Sequence, residues 1–199
     1  MCNRYRMSAK QLELAAVFGV DISKLLPEEQ LPPPELFPKR PGLIVRQQGG
    51  ERVIDVMLWG VPLKVKNPKT GKVTDKPVTN VRNLASPFWK GTVGKLDFRC
   101  LVPVTSFCEW EGEAGSKLER WFSLPAAPIF AFAGVWRPSE TGPAYSFLTC
   151  EPNPLVAPIH AKAMPVILHP EDYNRWLGDP YANACSLAQP FPSQLMAVA

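Results

Sequence analysis

Prolines are spread along almost the whole chain, and they limit the folds open to it more than any other feature. The sequence has 23 prolines in 199 residues, which is about twice the average usage of proline. A proline lacks the backbone N–H that a helix interior or a central strand requires. We therefore expect short strands joined by many loops, with few long helices.

The length and the apolar content predict a single domain over residues 1–199. Hydrophobic residues make up 46% of the chain, which is enough to bury one sizeable core. No run of 18 or more apolar residues is present, and the N-terminus lacks the basic start and the apolar stretch of a secretory signal. These features predict a cytoplasmic protein without a membrane partner.

The cysteines argue against a disulfide-bonded protein and a metal site, and the charge leaves a polyanionic partner possible. Five cysteines, with no C-x-x-C pair and with only two histidines in the chain, predict reduced thiols rather than a disulfide framework or a metal site. The formal charge of +4 permits a polyanionic partner but does not require one. Composition alone therefore does not identify nucleic acid as the partner.

Helices are predicted at two places. Ser8 and Gln11 have the spacing of a capping box before a run of apolar residues, and Gly19 would end this helix. The last helix is predicted to begin at residues 170–172, where a proline is followed by two acidic residues, and to end at Gly178.

Strands are predicted throughout the middle of the chain. Alternation over residues 53–59 predicts a strand with Ile54, Val56 and Leu58 on one face. Similar short runs, bounded by proline, glycine or charged residues, occupy residues 101–104, 120–124, 129–136, 145–149 and 164–168. This order of elements predicts an α+β fold, mainly antiparallel, with an open, barrel-like sheet and a few flanking helices.

Three segments are predicted to lie outside the sheet. Residues 27–41 contain six prolines and are expected to run over the surface as an arm without helix or strand pairing. Residues 64–76 contain five lysines and are expected to form a polar loop. Residues from about 180 to 199 form a C-terminal tail with no predicted element.

Cys2 offers the most distinctive chemistry in the sequence. Because Cys2 is small, Met1 is an expected target for methionine removal, which would leave an α-amine and a thiol on adjacent carbons. Such an amine has an ordinary pKa of about 7.7 to 8.0, so part of it is neutral at pH 7 and forms an imine with an aldehyde. The thiol can then close a thiazolidine ring. Many proteins begin with Met-Cys and lack this function, so these two residues alone do not identify it.

Short motifs accompany Cys2 in a particular order. They are Met1-Cys2-Asn3-Arg4-Tyr5, Leu58-Trp59-Gly60-Val61-Pro62, Thr79-Asn80-Val81-Arg82-Asn83, Arg99-Cys100-Leu101-Val102-Pro103, Phe107-Cys108-Glu109-Trp110, Phe132-Ala133-Gly134-Val135-Trp136, Ile159-His160 and Met164-Pro165-Val166-Ile167-Leu168. Together they resemble the SOS-response-associated peptidase (SRAP) family, whose members crosslink to abasic DNA. The resemblance extends from residue 1 to about residue 177.

The resemblance implies a site and a function. At the matching positions the catalytic residues are Cys2, Asn80, Glu109 and His160, and the DNA-binding residues are Arg4, Arg82, Lys162 and Thr149. The implied protein responds to DNA damage, binds single-stranded DNA and captures abasic sites as a thiazolidine at Cys2 after Met1 removal. It also has autoproteolytic cysteine peptidase activity. We expect a monomer that needs no cofactor or metal and that associates with the nucleoid when bound to DNA.

The chemistry of these residue types agrees with the implied roles, and each has a structural alternative. Glu109 lies among apolar residues, which would raise the pKa of its carboxyl toward neutrality, and a pair with a buried arginine is the equal alternative. His160 can move a proton as a closed furanose opens to its aldehyde, although a lone histidine is more often part of a core. Asn80 can orient a hydroxyl or an amine, although a loop asparagine is normally a turn residue.

The sequence departs from the family pattern where relatives contact DNA. Many relatives have tryptophans after the Trp-Gly-x-x-Pro run, whereas residues 63–65 here are Leu-Lys-Val. The wedge against DNA is therefore aliphatic or comes from Phe88 and Trp89, which would be core residues if their segment is a strand. Lys162 stands close to the position of an arginine in many relatives, with less capacity for bidentate bonds.

Two other functions fit parts of the sequence. A cysteine hydrolase could use Cys2, His160 and a carboxylate on peptide or amide substrates. A non-covalent module for single-stranded DNA could rely on the lysine-rich segment, with Cys2 incidental. Turnover of small amides favours the first alternative, and weak, strongly salt-dependent binding alone favours the second.

Overall fold

The computed structural model describes residues 2–113 and 115–199. In this part of the chain the strands are β1 (Tyr5–Arg6), β2 (Glu35–Leu36), β3 (Pro41–Gln48), β4 (Glu51–Trp59), β5 (Val61–Lys66), β6 (Val73–Val78), β7 (Asn80–Val81), β8 (Arg99–Val104), β9 (Ser106–Glu111), β10 (Leu118–Ser123), β11 (Phe130–Arg137), β12 (Ala144–Cys150), β13 (Met164–Pro165), β14 (Ile167–Leu168) and β15 (Ala197–Val198). The α-helices are α1 (Gln11–Phe18), α2 (Pro87–Val93), α3 (Tyr173–Gly178) and α4 (Tyr181–Ser186). None of these helices is long and apolar enough to cross a membrane.

Five strands of the largest sheet form a ring. The pairings run from β12 to β4, β3, β8 and β11 and return to β12. Only the contact between β12 and β4 is parallel among these five, and β7 adds a second parallel pairing to β12. The prediction of a mainly antiparallel α+β fold with a barrel-like sheet is therefore confirmed.

A second sheet places the N-terminus against the ring. Its strand order is β15-β10-β9-β1-β2, so β1 lies between β9 and β2. Tyr5 is paired with Phe107 on one side and with Leu36 on the other. This pairing fixes the first residues of the chain beside β9.

Aromatic side chains fill the interior between the two sheets. The rings of Tyr5 and Trp59 lie 5.1 Å apart, and Trp59 stacks on Phe147 at 5.3 Å. Phe132 lies 4.8 Å from Phe147. The hydroxyls of Tyr5 and Tyr145 hydrogen-bond each other in this core. Ring contacts of this kind contribute about 0.5–1.5 kcal/mol each beyond their buried area.

The proline-rich arm does take part in a sheet, contrary to the prediction for residues 27–41. Its prolines at 32–34 end just before β2, so Glu35 and Leu36 keep their N–H groups and pair with β1. Leu36 is 1% exposed and belongs to the core. The arm also contains a 3₁₀ turn at Glu28–Gln30.

The predicted loop at residues 64–76 is a β-hairpin instead. β5 pairs with β6 from Val61↔Val78 to Lys66↔Val73. The turn is held by Asn67, whose Oδ1 accepts from the N–H groups of Lys69 at 2.8 Å and Thr70 at 3.1 Å. Lysines were read as loop formers, but the valines and threonine between them provide the β preference.

The first helix was predicted with the wrong cap. Lys10 is the N-cap of α1, and its N–H donates to Glu13 Oε2 at 2.7 Å. Ser8 instead bonds to Thr105 through its N–H at 3.3 Å. Gln11 uses its side chain to bind the backbone of Leu26. The end at Gly19 is confirmed, because this residue is left-handed with φ 64°.

Three further predictions need correction. Residues 170–172 form a 3₁₀ turn before α3, and the chain then continues into α4 and β15, so the segment from 180 to 199 belongs to the fold. The buried residues of β4 are Ile54, Met57 and Trp59 rather than every second residue from Ile54. Phe88 and Trp89 lie in a helix, α2, in which Trp89 is buried.

Candidate active site at the N-terminus

Cys2 lies where the pairing of β1 with β9 is extended toward the chain start. The N–H of Cys108 donates to Arg4 O at 3.0 Å, which continues the ladder beyond Tyr5. Cys2 is 1% exposed, and its Sγ lies 3.5 Å from Arg4 O and 4.0 Å from Cys108 O. Burial raises the pKa of the Cys2 thiol well above its ordinary value, and the nearby Glu109 raises it further. The thiol is therefore neutral at pH 7.

Glu109 points into the same interior as the core aromatics. In β9 it lies two residues after Phe107, which is paired with Tyr5, so the period of a strand directs Glu109 inward. Glu109 is 2% exposed, and no arginine or lysine forms an ion pair with it within residues 2–113 and 115–199. Burial raises the pKa of its carboxyl to about 7. The alternative of a pair with a buried arginine is thus not observed.

Asn80 connects β7 directly to the N-terminus. Its Nδ2 donates to Cys2 O at 3.1 Å and to Thr79 Oγ1 at 2.8 Å. The side chain is 7% exposed, and its Oδ1 is buried with no hydrogen-bond partner in the described part of the chain. Asn80 is therefore not a turn residue but a strand residue that holds the backbone of Cys2.

Thr149 lies on the same side of β12 as the aromatic core. β7 pairs with β12 at Asn80↔Phe147, and Thr149 follows Phe147 by two residues, so both side chains point to one face. Thr149 is 4% exposed, and its Oγ1 has no partner among the described residues. Glu109 Oε1 is likewise buried and has no hydrogen-bond partner among the described residues.

Within the described residues, the buried atoms of Asn80, Glu109 and Thr149 that lack a hydrogen bond are a costly arrangement for a structural core. A buried polar atom without a hydrogen bond costs about 1–3 kcal/mol. Such groups are rare in native proteins and are retained where they serve a function. These three residues therefore define the candidate site.

His160 follows a turn that Asn153 organises. Asn153 Oδ1 accepts from Leu155 N at 3.1 Å and from Val156 N at 3.0 Å. The ring Nδ1 of His160 lies 2.8 Å from Ala163 O, and because a carbonyl only accepts, Nδ1 carries the proton of the neutral ring. Burial lowers the pKa of His160, and Lys162 adds to this effect. The neutral ring with an unprotonated Nε2 is therefore favoured at pH 7.

Arg4 lies on the opposite face of β1 from Tyr5. Its guanidinium forms ion pairs with Glu35 and Glu119, and it lies over the rings of Trp121 at 5.1 Å and Phe37 at 5.3 Å. Two carboxylates thus already neutralise the charge that the sequence assigned to a phosphate. This environment was not foreseen, because the partners are 31 and 115 positions away in the sequence.

Arg82 and Lys162, which were also predicted to contact DNA, lie on the surface, whereas Thr149 is buried. Arg82 forms an ion pair with Glu151, and both side chains are exposed. Lys162 is exposed and close enough to His160 to affect its pKa. The rings of Phe88 and Trp89 lie under the guanidinium of Arg137, at 4.1 and 5.6 Å.

The structure therefore brings Cys2, Asn80 and Glu109 together, and the aligned strands place Thr149 on the same inner face as Asn80. His160 lies four residues before β13, which pairs with β12 at Thr149↔Pro165. Sequence reasoning missed the hydroxyl of Thr79, which accepts from Asn80, because its only sequence signal is that it precedes Asn80. Among the described residues no group of three or more His, Cys, Asp or Glu side chains could hold a metal ion.

Both the family and the fold of the chain are matched among known proteins. A family model described as SOS response associated peptidase (SRAP) matches residues 1–199, so the match extends beyond about residue 177, where the resemblance recognised in the sequence ends. The abasic site processing protein YoaM of Bacillus subtilis is 28% identical over 194 residues, which cover 89% of this chain and 79% of that protein.

Two crystal structures share the fold. A protein from Bordetella bronchiseptica has a TM-score of 0.79 at 21% sequence identity, and the alignment covers 100% of this chain and 98% of that protein's chain. A protein from Bacteroides thetaiotaomicron has a TM-score of 0.78 at 24% identity, with 99% and 90% covered. The ring of strands and the attached second sheet are thus an arrangement that distant sequences also adopt.

Proposed function

The chain belongs to the SOS response associated peptidase (SRAP) family, and from this premise we propose that it captures abasic sites in single-stranded DNA covalently through Cys2. The relative YoaM is named as an abasic site processing protein, which supports the same substrate. The observation that carries the proposal is the bond from Asn80 Nδ2 to Cys2 O at 3.1 Å. It fixes the backbone of Cys2 beside Glu109, whose carboxyl has a pKa of about 7.

Opening of the sugar is the first chemical step. In the closed furanose the C1 hydroxyl loses its proton, the bond from C1 to the ring oxygen breaks, and the ring oxygen gains a proton. A neutral His160 can accept the first proton at Nε2 and return it to the ring oxygen. Its bond from Nδ1 to Ala163 O supports this tautomer.

Capture then requires the amine of Cys2. Removal of Met1, which lies outside the described residues, exposes this amine. Its lone pair forms the C–N bond to C1, and the carbonyl oxygen takes a proton from protonated Glu109 to give a carbinolamine. The added nitrogen passes one proton back to Glu109, which donates it to this oxygen so that the oxygen leaves as water. The last proton on the nitrogen then returns to Glu109, and an imine remains.

Ring closure makes the product stable. The Cys2 sulfur adds to the imine carbon, its proton passes to the nitrogen, and a thiazolidine forms with release of one water overall. Closure starts from a neutral thiol, in agreement with the raised pKa of Cys2. We propose that Asn80, Glu109 and His160 also support autoproteolytic release of Met1, in which water rather than the Cys2 thiol attacks the Met1–Cys2 peptide bond. An aminopeptidase can also perform this step.

The buried thiol also separates this proposal from a cysteine hydrolase. Acyl transfer needs a thiolate as the attacking group, whereas burial keeps the Cys2 thiol protonated. In addition, His160 Nδ1 contacts Ala163 O, and the Sγ of Cys2 faces two backbone carbonyls. These contacts favour aldehyde capture over turnover of amides.

The test is denaturing electrophoresis and intact mass after incubation with a single-stranded oligonucleotide that carries one abasic site. We expect an adduct of Met1-free protein that survives denaturation and is absent with an intact-base strand. Cys2→Ser and Cys2→Ala keep an N-terminal amine but lose the thiol, so they should give an adduct only when the imine is trapped by borohydride.

Two outcomes contradict the proposal. A stable adduct of Cys2→Ala without borohydride would show that another residue forms the bond. An absence of any adduct with Met1-free wild-type protein would leave amide hydrolysis and non-covalent DNA binding as the remaining functions, which small amide substrates and salt-dependent binding then distinguish.

A further inference from the structure

The net charge of the chain is concentrated in one hairpin. We define the lysine hairpin as β5, β6 and the turn between them, residues 61–78. It contains five lysines and one aspartate, a net charge of +4, which equals the net charge of the whole chain. The other residues therefore contain 17 basic and 17 acidic side chains and are neutral as a set.

Most of these lysines are not neutralised by the protein. Lys64 pairs with Glu140 at 2.5 Å and lies opposite Asp75 in the hairpin. None of the ion pairs in the described part of the chain involves the remaining four lysines, at positions 66, 69, 72 and 76. All four are exposed. This differs from Arg4 and Arg82, which both have carboxylate partners.

The hairpin is ordered at its tip and at its base. At the tip, the N–H of Gly71 donates to Asn67 O at 2.9 Å and the N–H of Asn67 donates to Lys72 O at 2.8 Å. At the base, Ser146 Oγ donates to Val78 O at 2.5 Å and Trp59 Nε1 donates to Thr79 O at 3.1 Å. Backbone hydrogen bonds thus hold the element that carries the four lysines, and binding then requires less ordering of this backbone.

The hairpin leads directly into the candidate active site. β6 ends at Val78, two residues before Asn80. Six residues in each strand give the hairpin a length of about 20 Å. A polyanion that enters the site near Asn80 can therefore extend along a surface of matching opposite charge.

From these observations we infer that the lysine hairpin binds the sugar–phosphate backbone of the nucleic-acid strand beside the captured nucleotide. The inference rests on the proposed function for the identity of the polyanion. Lysine side chains bind phosphates as point charges and without base readout, so this contact is independent of sequence. It supplies salt-dependent affinity, whereas the buried site supplies selectivity for the aldehyde.

The test measures non-covalent binding of an intact-base single strand, oligothymidylate, as a function of salt. This probe has no aldehyde and cannot be captured, so the result does not depend on Cys2. The variant replaces Lys66, Lys69 and Lys72 with glutamine. The matched control replaces three exposed lysines outside the hairpin with glutamine, namely those at positions 10, 90 and 117.

We expect the hairpin variant to bind more weakly at low salt and to lower the slope of log K against log salt concentration by about 2, because each lost phosphate contact on a single strand removes about 0.7. The control variant has the same net charge and should keep the wild-type slope. Thermal unfolding of both variants should match the wild type, since all the changed residues are exposed. A slope for the hairpin variant equal to that of the wild type, or equal losses in both variants, would refute the inference.

Adduct formation with the abasic strand separates this inference from the proposed function. At saturating DNA, the hairpin variant should form the same final amount of adduct as the wild type, with a slower approach only at low DNA concentration. One outcome would support the inference and contradict the covalent function. In that outcome neither the wild type nor the variants form an adduct, and the hairpin variant still shows a lower slope of log K against log salt concentration than the wild type.

Discussion

The site around Cys2 and the lysine hairpin differ in almost every physical property, although only Thr79 separates β6 from Asn80. The first is buried, with polar atoms of Asn80 and Glu109 that lack partners among the described residues. The second is exposed along residues 64–76 and carries the net charge of the chain. Low dielectric makes each group in the first region individually important, whereas water and salt screen the charges of the second.

Because one region is buried and the other is exposed, the two regions should respond differently to substitution. In the buried site, the exchange of a single atom in one side chain should change the rate of adduct formation by orders of magnitude. The reason is that the protonation states and the positions of the buried side chains are fixed there. In the hairpin only several substitutions together should have a large effect. The following variants are ranked by the size of the effect that this difference predicts.

Glu109→Gln should have the largest effect. It keeps the shape of the side chain but removes the proton that the carbonyl oxygen takes up, so the single-turnover rate of adduct formation should fall about 10²- to 10⁴-fold. The wild-type rate should rise with pH as the amine is deprotonated and should decline above about pH 7, where Glu109 loses its proton. The variant should keep only the rise. A rate within threefold of wild type, measured over this pH range, would contradict the role of Glu109 as the acid.

The same variant tests the cost of burying the carboxyl. Because the pKa of Glu109 is raised from 4.5 to about 7 in the folded protein, the folded state holds this proton more tightly than the unfolded state does. The stabilisation is fully present below pH 4.5 and is lost as the pH rises through about 7, by up to about 3 kcal/mol. Urea unfolding from pH 4.5 to pH 8 should show this loss in the wild type, and the contribution should be absent in Glu109→Gln.

Gly42→Ala should have an intermediate effect, on stability. A Cβ at this position in β3 would overlap the hydroxyl of Tyr145 and lie 2.8 Å from that of Tyr5. Overpacking of a core costs about 1–3 kcal/mol. Urea unfolding should show this loss, and Tyr145→Phe in the same chain should recover part of it because the overlapping oxygen is removed. If Gly42→Ala alone unfolds at the wild-type urea concentration, the interior tolerates change as the hairpin does.

Glu151→Gln should have the smallest effect, and in the opposite direction. Its carboxylate forms an exposed ion pair with Arg82, which a phosphate must displace if Arg82 binds DNA. Exposed pairs are worth about 0–1 kcal/mol, so affinity for a single strand should increase by at most about fivefold. Salt-dependent binding of oligothymidylate measures this effect, and Glu140→Gln, which releases Lys64, provides a matched comparison on the hairpin side. No gain in affinity would mean that Arg82 does not contact the strand.

The contrast between the regions also explains which predictions from the sequence were correct. Four of the five ring strands, β4, β8, β11 and β12, were predicted because their apolar residues alternate or run continuously, as in β8 and β12. The fifth strand, β3 (Pro41–Gln48), was not predicted. The lysine hairpin was predicted to be a loop because exposed strands lack such an apolar pattern. The pairing of β2 was missed because a two-residue strand depends on its neighbour β1 rather than on its own composition.

For the site, the sequence determined which residue types are present and in what order. The motifs around Cys2, Asn80, Glu109 and His160 are sufficient to indicate the family and the aldehyde chemistry of an N-terminal cysteine. The apolar neighbours of Glu109 also predict the direction in which its pKa shifts, because desolvation depends on adjacent side chains that the sequence displays.

Tertiary structure alone decided how these residues are connected. The bond from Asn80 to Cys2 joins positions 78 residues apart, and the carboxylates that neutralise Arg4 come from β2 and β10. Such contacts leave no local pattern, because hydrogen bonds and ion pairs depend on distances that only the packed strands fix. The sequence specified the reactive groups, and the fold determined which of them lie buried together and which remain exposed to solvent.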